Sequence, residues 1–329
     1  MPLKNWLESR WYTDRPAPFW LLPFSWLYGV ISRRRRLRLT AKAERLPVPV
    51  IVVGNISLGG TGKTPFVIWL VERLREWGYT PGVISRGYGG QALQYPMAVH
   101  GESNPMYCGD EPLLMARRLN VPLAIDPDRC AAARFLLAQN PNVDVLIADD
   151  GLQHYRLARD LEICIIDGTR GLGNGELLPA GPLREVPARL SEVQLAVVNG
   201  GGWRGKAPEH ADMFLRMTDA NTFAGARQPL TTLEGQTVHA VAGIGNPERF
   251  FGQLRRQGIK VIPHAFPDHH SFSANDLNFG DRYPVLMTEK DAVKCTTFAQ
   301  PHWHFVPVVA DLHADYTALV RKLVNSLKR

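Results

Sequence analysis

Gly54–Pro65 reads GNISLGGTGKTP. Within it, Ser57–Thr64 departs from G-x-x-x-x-G-K-[ST] only at its first position, where Ser57 stands for glycine. Glycines at this spacing let backbone N–H groups turn inward and cradle phosphate oxygens. Ser57, Leu58, Gly59, Gly60, Thr61 and Gly62 would form that cradle. Lys63 would reach the β/γ-phosphates, and the hydroxyl of Thr64 would hold Mg²⁺. This chemistry is nucleotide binding, and the loop alone leaves the phosphate acceptor open.

Carboxylates follow at a matching place. Asp149 and Asp150 end an apolar run, VDVLIA, and continue into DDGLQHY with Gln153 and His154. At a strand end beside a phosphate loop they can hold or orient Mg²⁺. An Asp-Gly turn is the structural alternative. Arg86 in SRGYGG would sit at the same edge. Asp110 and Glu111 in GDEP read equally well as helix caps. Asp268–His270 (DHH) and Thr288–Asp291 (TEKD) are further polar loops. In TEKD the lysine stands one place later than in the guanine-reading N/T-K-x-D pattern, so GTP specificity is not implied.

These residues need a scaffold. Val48–Val53, Pro81–Ser85, Val143–Ala148, Leu161–Ile166 and Leu195–Val198 are short apolar runs that predict buried parallel strands. Phe66–Trp77 has helical spacing. Gly200–Gly202 with Pro208 predicts a loop. A second series begins near Thr237, with strands at VHAVAGI, IKVIPHAF, PVLMT and HFVPVV. Helices are expected over Pro247–Gln257, after Asp291 and over Tyr316–Leu327. The pattern predicts an α/β protein, a parallel sheet with helices on both faces. Two lobes, 47–215 and 216–329, would flank a cleft, their boundary falling within 205–236.

Residues 1–46 form a segment of different character. The chain of 329 residues carries +7, and residues 1–50 hold ten Lys/Arg against three Asp/Glu; the remainder is neutral. Pro18–Ile31 is uncharged over 14 residues, short of the ~20 that a membrane span needs, with Pro23 inside it. Arg33–Arg36 and Arg38 follow. Trp20, Trp26 and Tyr28 suit headgroup depth, and the arginines suit an anionic surface. A helix packed on the body with solvated arginines is the alternative. A nucleic-acid binder would spread its basic residues over the globular body. The four cysteines form no C-x-x-C pair, which indicates neither a zinc site nor a redox motif. Cys164 lies in an apolar run and is expected in the core, and a reducing compartment is the natural setting.

GNISLGGTGKTP, SRGYGG, GDEP, DDGLQHYRLARD, GNGELLPAGPLRE, FPDHH and TEKDAVK occur in that order. Together they resemble the tetraacyldisaccharide 4'-kinases of lipid A biosynthesis, over nearly the whole chain from about Trp20. The resemblance implies a P-loop NTPase-like, two-lobed kinase with ATP and Mg²⁺, at the cytoplasmic face of the inner membrane. It would be peripheral or N-terminally anchored. It would phosphorylate the 4'-hydroxyl of a tetraacylated glucosamine disaccharide 1-phosphate, the lipid A precursor. No protein partner is implied. By the same resemblance Asp110 looks like the general base and His269 its partner, with Asp149 and Asp150 as metal and water ligands. Arg184 is similar to residues near the phosphates, and Glu185 to residues near the metal.

Overall fold

The computed structural model describes residues 3–13 and 16–327. Residues 1–2 and 14–15 of the expected N-terminal segment, and 328–329 of the expected second lobe, lie outside the described residues. Helices α1 (Leu3–Trp11) and α2 (Leu22–Thr40) precede β1 (Val50–Gly54) and α3 (Lys63–Glu76). Then come β2 (Pro81–Ser85), β3 (Met97–Ala98), α4 (Pro105–Cys108), α5 (Asp110–Leu119), β4 (Leu123–Ile125), α6 (Arg129–Gln139) and β5 (Val145–Asp149). The first run of strands closes with β6 (Leu161–Asp167), β7 (Leu195–Asn199) and β8 (His210–Arg216). The second series holds β9 (Asp219–Thr222), β10 (Arg227–Pro229), β11 (Thr237–Ala242), α7 (Pro247–Arg256), β12 (Lys260–Ala265), β13 (Val285–Thr288), α8 (Glu289–Ala292) and β14 (Trp303–Val306). Last are β15 (Val309–Leu312) and α9 (Ala314–Asn325).

The larger sheet has the order β15-β8-β7-β6-β1-β5-β2-β4-β3, parallel except at its antiparallel edges β3 and β15. β1 lies between β5 and β6, and every residue of all three strands is buried. Continuous apolar runs rather than alternation are what a sheet covered on both faces requires. On one face, α3 contributes Phe66, Leu70 and Leu74, one helical stripe that is fully buried together with residues of α5 and α9. Each such side chain stabilises the fold by about 1.5–3 kcal/mol. α6 covers the other face with Cys130, Ala133 and Leu136. All four cysteines, including Cys164, are free and buried.

The smaller sheet runs β10-β9-β14-β13-β11-β12. Its four strands β14, β13, β11 and β12 are parallel, and β9 and β10 are added antiparallel. α7 packs Phe250, Phe251 and Leu254 against one face.

The chain crosses between sheets twice. It leaves the first after β8 and returns after β14, because HFVPVV is two strands rather than one. Pro307 interrupts it, and β15 pairs with β8 while α9 buries Val320 and Val324 in the first lobe's core. Residues 309–325, expected with the second lobe, are therefore paired and packed with the first.

α2 starts at Leu22, with Pro23 in its first turn, where a missing N–H costs nothing. Its inner face is tied to the body: Ser25 Oγ donates to the Leu177 carbonyl (2.8 Å) and accepts from Ala180 N (2.9 Å). Tyr28 donates to the Arg184 carbonyl (3.2 Å), and Arg36 pairs with Glu192. Its outer face leaves Phe24, Trp26, Leu27 and Ile31 exposed, continuing Phe19 and Trp20 before it. No helix among the described residues is long and apolar enough to cross a membrane.

Candidate active site

The phosphate loop joins β1 to α3, as its sequence requires. Gly59 and Gly62 adopt φ of +102° and +96°, a region that side chains disfavour. A Cβ at Gly62 would also lie 2.6 Å from Asn199 Nδ2, which donates to the Thr61 carbonyl at 2.9 Å. The loop is braced from outside by the PAGPLRE segment. Leu58 N donates to the Pro182 carbonyl (2.8 Å) and Arg184 N to the Ile56 carbonyl (2.7 Å). Ser57 and Thr61 are buried, Leu58 is half-buried, and Gly59 and Gly60 are exposed at the tip.

Asp149 closes β5 in register with Val53 of β1, which places it at the mouth of the loop. Ser85 Oγ donates to its Oδ2 at 3.0 Å, while its Oδ1 is buried and accepts no hydrogen bond. Burial, then the charges of Glu111 and Asp150, push the Asp149 carboxyl above its ordinary range. Asp150, at φ +48°, turns its carboxylate to Lys63 Nζ and to Arg184 Nη1, each at 3.5 Å. Burial opposes its charge, but Lys63, Arg184 and Arg129 outweigh burial and hold its carboxyl low. A desolvated carboxylate oxygen without a donor, with a second carboxylate acting on it, fits a hard divalent cation. Asp149, Asp150 and Thr64 are the residues that would hold Mg²⁺. Glu185 Oε1 accepts from Gln153 Nε2 (2.6 Å), and its Oε2 faces Arg189 Nε (3.3 Å). Gln153 also accepts from Arg184 at 3.3 Å.

Arg86 is exposed just beyond β2, close enough for its charge to act on Arg129. His154 points elsewhere. Its Nε2 faces Asp128 Oδ1 at 3.5 Å beside α6, and burial with the Arg129 charge lowers the imidazole to about 4.

The second cluster spans the lobes. Asp110 is the first residue of α5, reached through Gly109 at φ +84°, and its side chain is 4% exposed. His269, 159 residues later, sits at φ +61° and places Nδ1 3.1 and 3.0 Å from the two Asp110 oxygens. The Tyr88 ring packs 5.1 Å from the imidazole. Burial opposes the Asp110 charge, but the His269 hydrogen bond and the charges of Lys290, His269 and Lys294 outweigh it and keep the carboxyl low. The same hydrogen bond raises His269 above the ordinary imidazole value, against burial and Lys290.

The two clusters meet. Glu111 acts electrostatically on Asp149, and a Cβ at Gly245 of the second lobe would be 3.9 Å from Gly60 N at the loop tip. Arg249 of α7 donates to Asn199 Oδ1 at 2.7 Å, fixing the second lobe to the strand beside the phosphate loop. Sequence reasoning missed Ser85, Asn199, Arg249 and Lys294. A serine or asparagine ending an apolar strand was the available signal for the first two; Lys294 closes the TEKDAVK string without a role assigned to it, and nothing marked Arg249.

The family model described as Tetraacyldisaccharide-1-P 4'-kinase matches residues 17–328. A protein named tetraacyldisaccharide 4'-kinase from Methylobacillus flagellatus is 49% identical over 99% of this chain and 96% of its own length. One from Pseudomonas paraeruginosa is 50% identical over 94% of each. A crystal structure of the LpxK of Aquifex aeolicus, in complex with ATP, superposes with a TM-score of 0.79. It is 30% identical and covers 94% of this chain and 98% of that one. With its strand-loop-helix phosphate cradle on a mostly parallel sheet, the chain belongs to the tetraacyldisaccharide-1-P 4'-kinase family.

Proposed function

We propose that this chain performs its family's reaction, transferring the γ-phosphate of ATP to the 4'-hydroxyl of tetraacyldisaccharide 1-phosphate, with the residues above in distinct roles. The carrying observation is the pairing of a phosphate cradle with an Asp–His pair that spans the two lobes, Asp110 from the cradle's own lobe and His269 from the other. Residues 57–62 bind phosphate oxygens through backbone N–H groups, and Lys63 and Arg184 place positive charge where negative charge spreads during transfer. Mg²⁺, when bound by Asp149, Asp150 and Thr64, supplies further charge neutralisation at the phosphates.

A sugar hydroxyl needs a proton acceptor, which contributes about 10²–10⁴-fold. Asp110 is too enclosed to meet a hydroxyl directly, and both its oxygens face His269 Nδ1. The imidazole Nε2 is therefore the end that accepts the proton, and Asp110 orients the ring and stabilises the imidazolium. The acyl chains remain in the bilayer. The exposed Phe19–Ile31 face and the Arg33–Arg38 block bring the enzyme to the anionic cytoplasmic leaflet of the inner membrane as a peripheral protein.

The test is transfer of labelled phosphate from ATP with Mg²⁺ to the detergent-dispersed monophosphorylated lipid. Turnover that depends on this acceptor is expected. Equal ATP hydrolysis without it, or better transfer to a soluble deacylated sugar, overturns the reading. For the surface, Arg33–Arg36→Gln should weaken binding to anionic vesicles at low salt, by about 1 kcal/mol per arginine near the bilayer. Unchanged vesicle binding marks the block as a solvated face.

A further inference from the structure

The TEKDAVK segment has no part in the roles given so far, yet it is built with care. Thr288 caps α8, accepting from Asp291 N. Asp291 is fully buried and accepts from Gly243 N (2.8 Å), from Thr288 Oγ1 (2.5 Å) and from Lys294 Nζ (2.9 Å). This frame fixes two lysines one helical turn apart. Lys290 Nζ lies 2.8 Å from Glu111 Oε1, 3.3 Å from Asp268 Oδ1 and 3.9 Å from Asp110 Oδ2. Lys294 Nζ also lies 3.9 Å from Asp110 Oδ2 and sits 5.0 Å from the centre of the Phe272 ring. Both side chains are mostly enclosed, at 17% and 11% exposure, so solvent screens them little.

We propose that Lys290 and Lys294 are positioning residues for the Asp110–His269 pair: they hold Asp110 anionic and in place across the lobes, and they hold the imidazole neutral enough to accept a proton. The proposal rests on the proton-transfer reading above. The groups facing the imidazole are Asp110 from α5, Asp268 from its own loop, Lys290 from α8 and the Tyr88 ring from the loop after β2. The two carboxylates favour imidazolium. Left unopposed, they would keep the ring protonated and useless as a base near neutral pH. Lys290 offsets that bias at the ring, and Lys294 acts through Asp110. Glu111 in turn anchors Lys290 from the first lobe, so the arrangement exists only with the lobes together.

The pH dependence of kcat/KM reads this directly, because it reports ionisation in the free enzyme. A base must be neutral, so kcat/KM should rise with pH through the His269 ionisation. Removing a nearby cation favours imidazolium, so Lys290→Gln should move this acid limb upward, by about half a pH unit or more. kcat at neutral pH should fall about tenfold and KM for ATP should stay near normal. Lys290→Arg keeps the charge and should restore the limb. Lys294→Gln should shift it the same way by less, and gives an independent reading where Lys290→Gln folds poorly by circular dichroism. A limb that His269→Ala abolishes but neither lysine variant moves overturns this proposal and leaves the base assignment standing. Near-normal kcat in His269→Ala overturns both.

Discussion

The proposed phosphate-binding end and the proposed proton-accepting end of this site are built by opposite means. The phosphate end is made from one sheet edge. β1, the loop and the start of α3 are continuous in sequence, and Asp149 arrives on the neighbouring strand in fixed register. Its geometry is mostly backbone, and its glycines leave few alternatives. At the proton end, Asp110 begins a helix in one lobe, His269 occupies a loop in the other, and two lysines join them by charge. The first region is therefore set by local chain geometry. The second depends on how two separately cored lobes meet. Nucleotide binding should survive damage that abolishes transfer, and the reverse should not hold.

The largest effect expected on that contrast is Lys63→Ala, which removes the charge proposed to face the β/γ-phosphates and should lower kcat by about 10³-fold. Near-normal kcat at saturating ATP would show that the loop only binds. Next, Asp110→Asn and His269→Ala should each cost about 10²-fold in kcat, with ATP binding measured by calorimetry nearly intact. Their double variant should lose little beyond the worse single one, because groups acting as a unit are non-additive. Fully additive losses, or losses confined to KM for ATP, would separate the two residues. Gly62→Ala tests the backbone side: positive φ and the close Asn199 amide should cost about 1–3 kcal/mol of stability, read by denaturant unfolding, and raise KM for ATP. The smallest effect is expected for Arg249→Ala. Its bond to Asn199 is partly exposed, so about 1 kcal/mol, or roughly fivefold in kcat, is the scale. A loss in ATP affinity as large as that in kcat would place Arg249 with the phosphate machinery instead.

The same contrast explains what the sequence made legible. β1, β2, β5, β6 and β7 read clearly because strands buried on both faces are uninterrupted apolar runs. The phosphate loop read clearly because its chemistry is local. The start of α5 was half legible: Asp110 and Glu111 in GDEP read equally well as a loop pair and as helix caps, and acidic residues with proline suit a first helical turn. β4 has three residues, and β8 mixes His, Asp and Arg into its run, too little period for either to register. Asp110 and His269 were reached through family resemblance, and no spacing rule links residues so far apart. Lys290 stands out in TEKD, which does not match the guanine-reading pattern, and its partners are visible only in three dimensions. His154 sits next to the acidic pair in sequence but turns away in space, toward Asp128.

The double crossing between sheets has a consequence for synthesis. β15 forms an edge of the sheet that carries the phosphate loop, and α9 buries Val320 and Val324 in the same core as the α3 stripe, yet both are made last. The nucleotide-binding lobe therefore cannot complete itself as the ribosome releases its first two hundred residues, and the second lobe folds as an insertion within it. During that interval β8 presents an unpaired edge and the apolar surface beneath α9 is open, the condition under which nascent chains recruit chaperones. A chain that stops short of Val309 would keep every residue of the phosphate and proton clusters and still lack the strand and helix that close the fold around them.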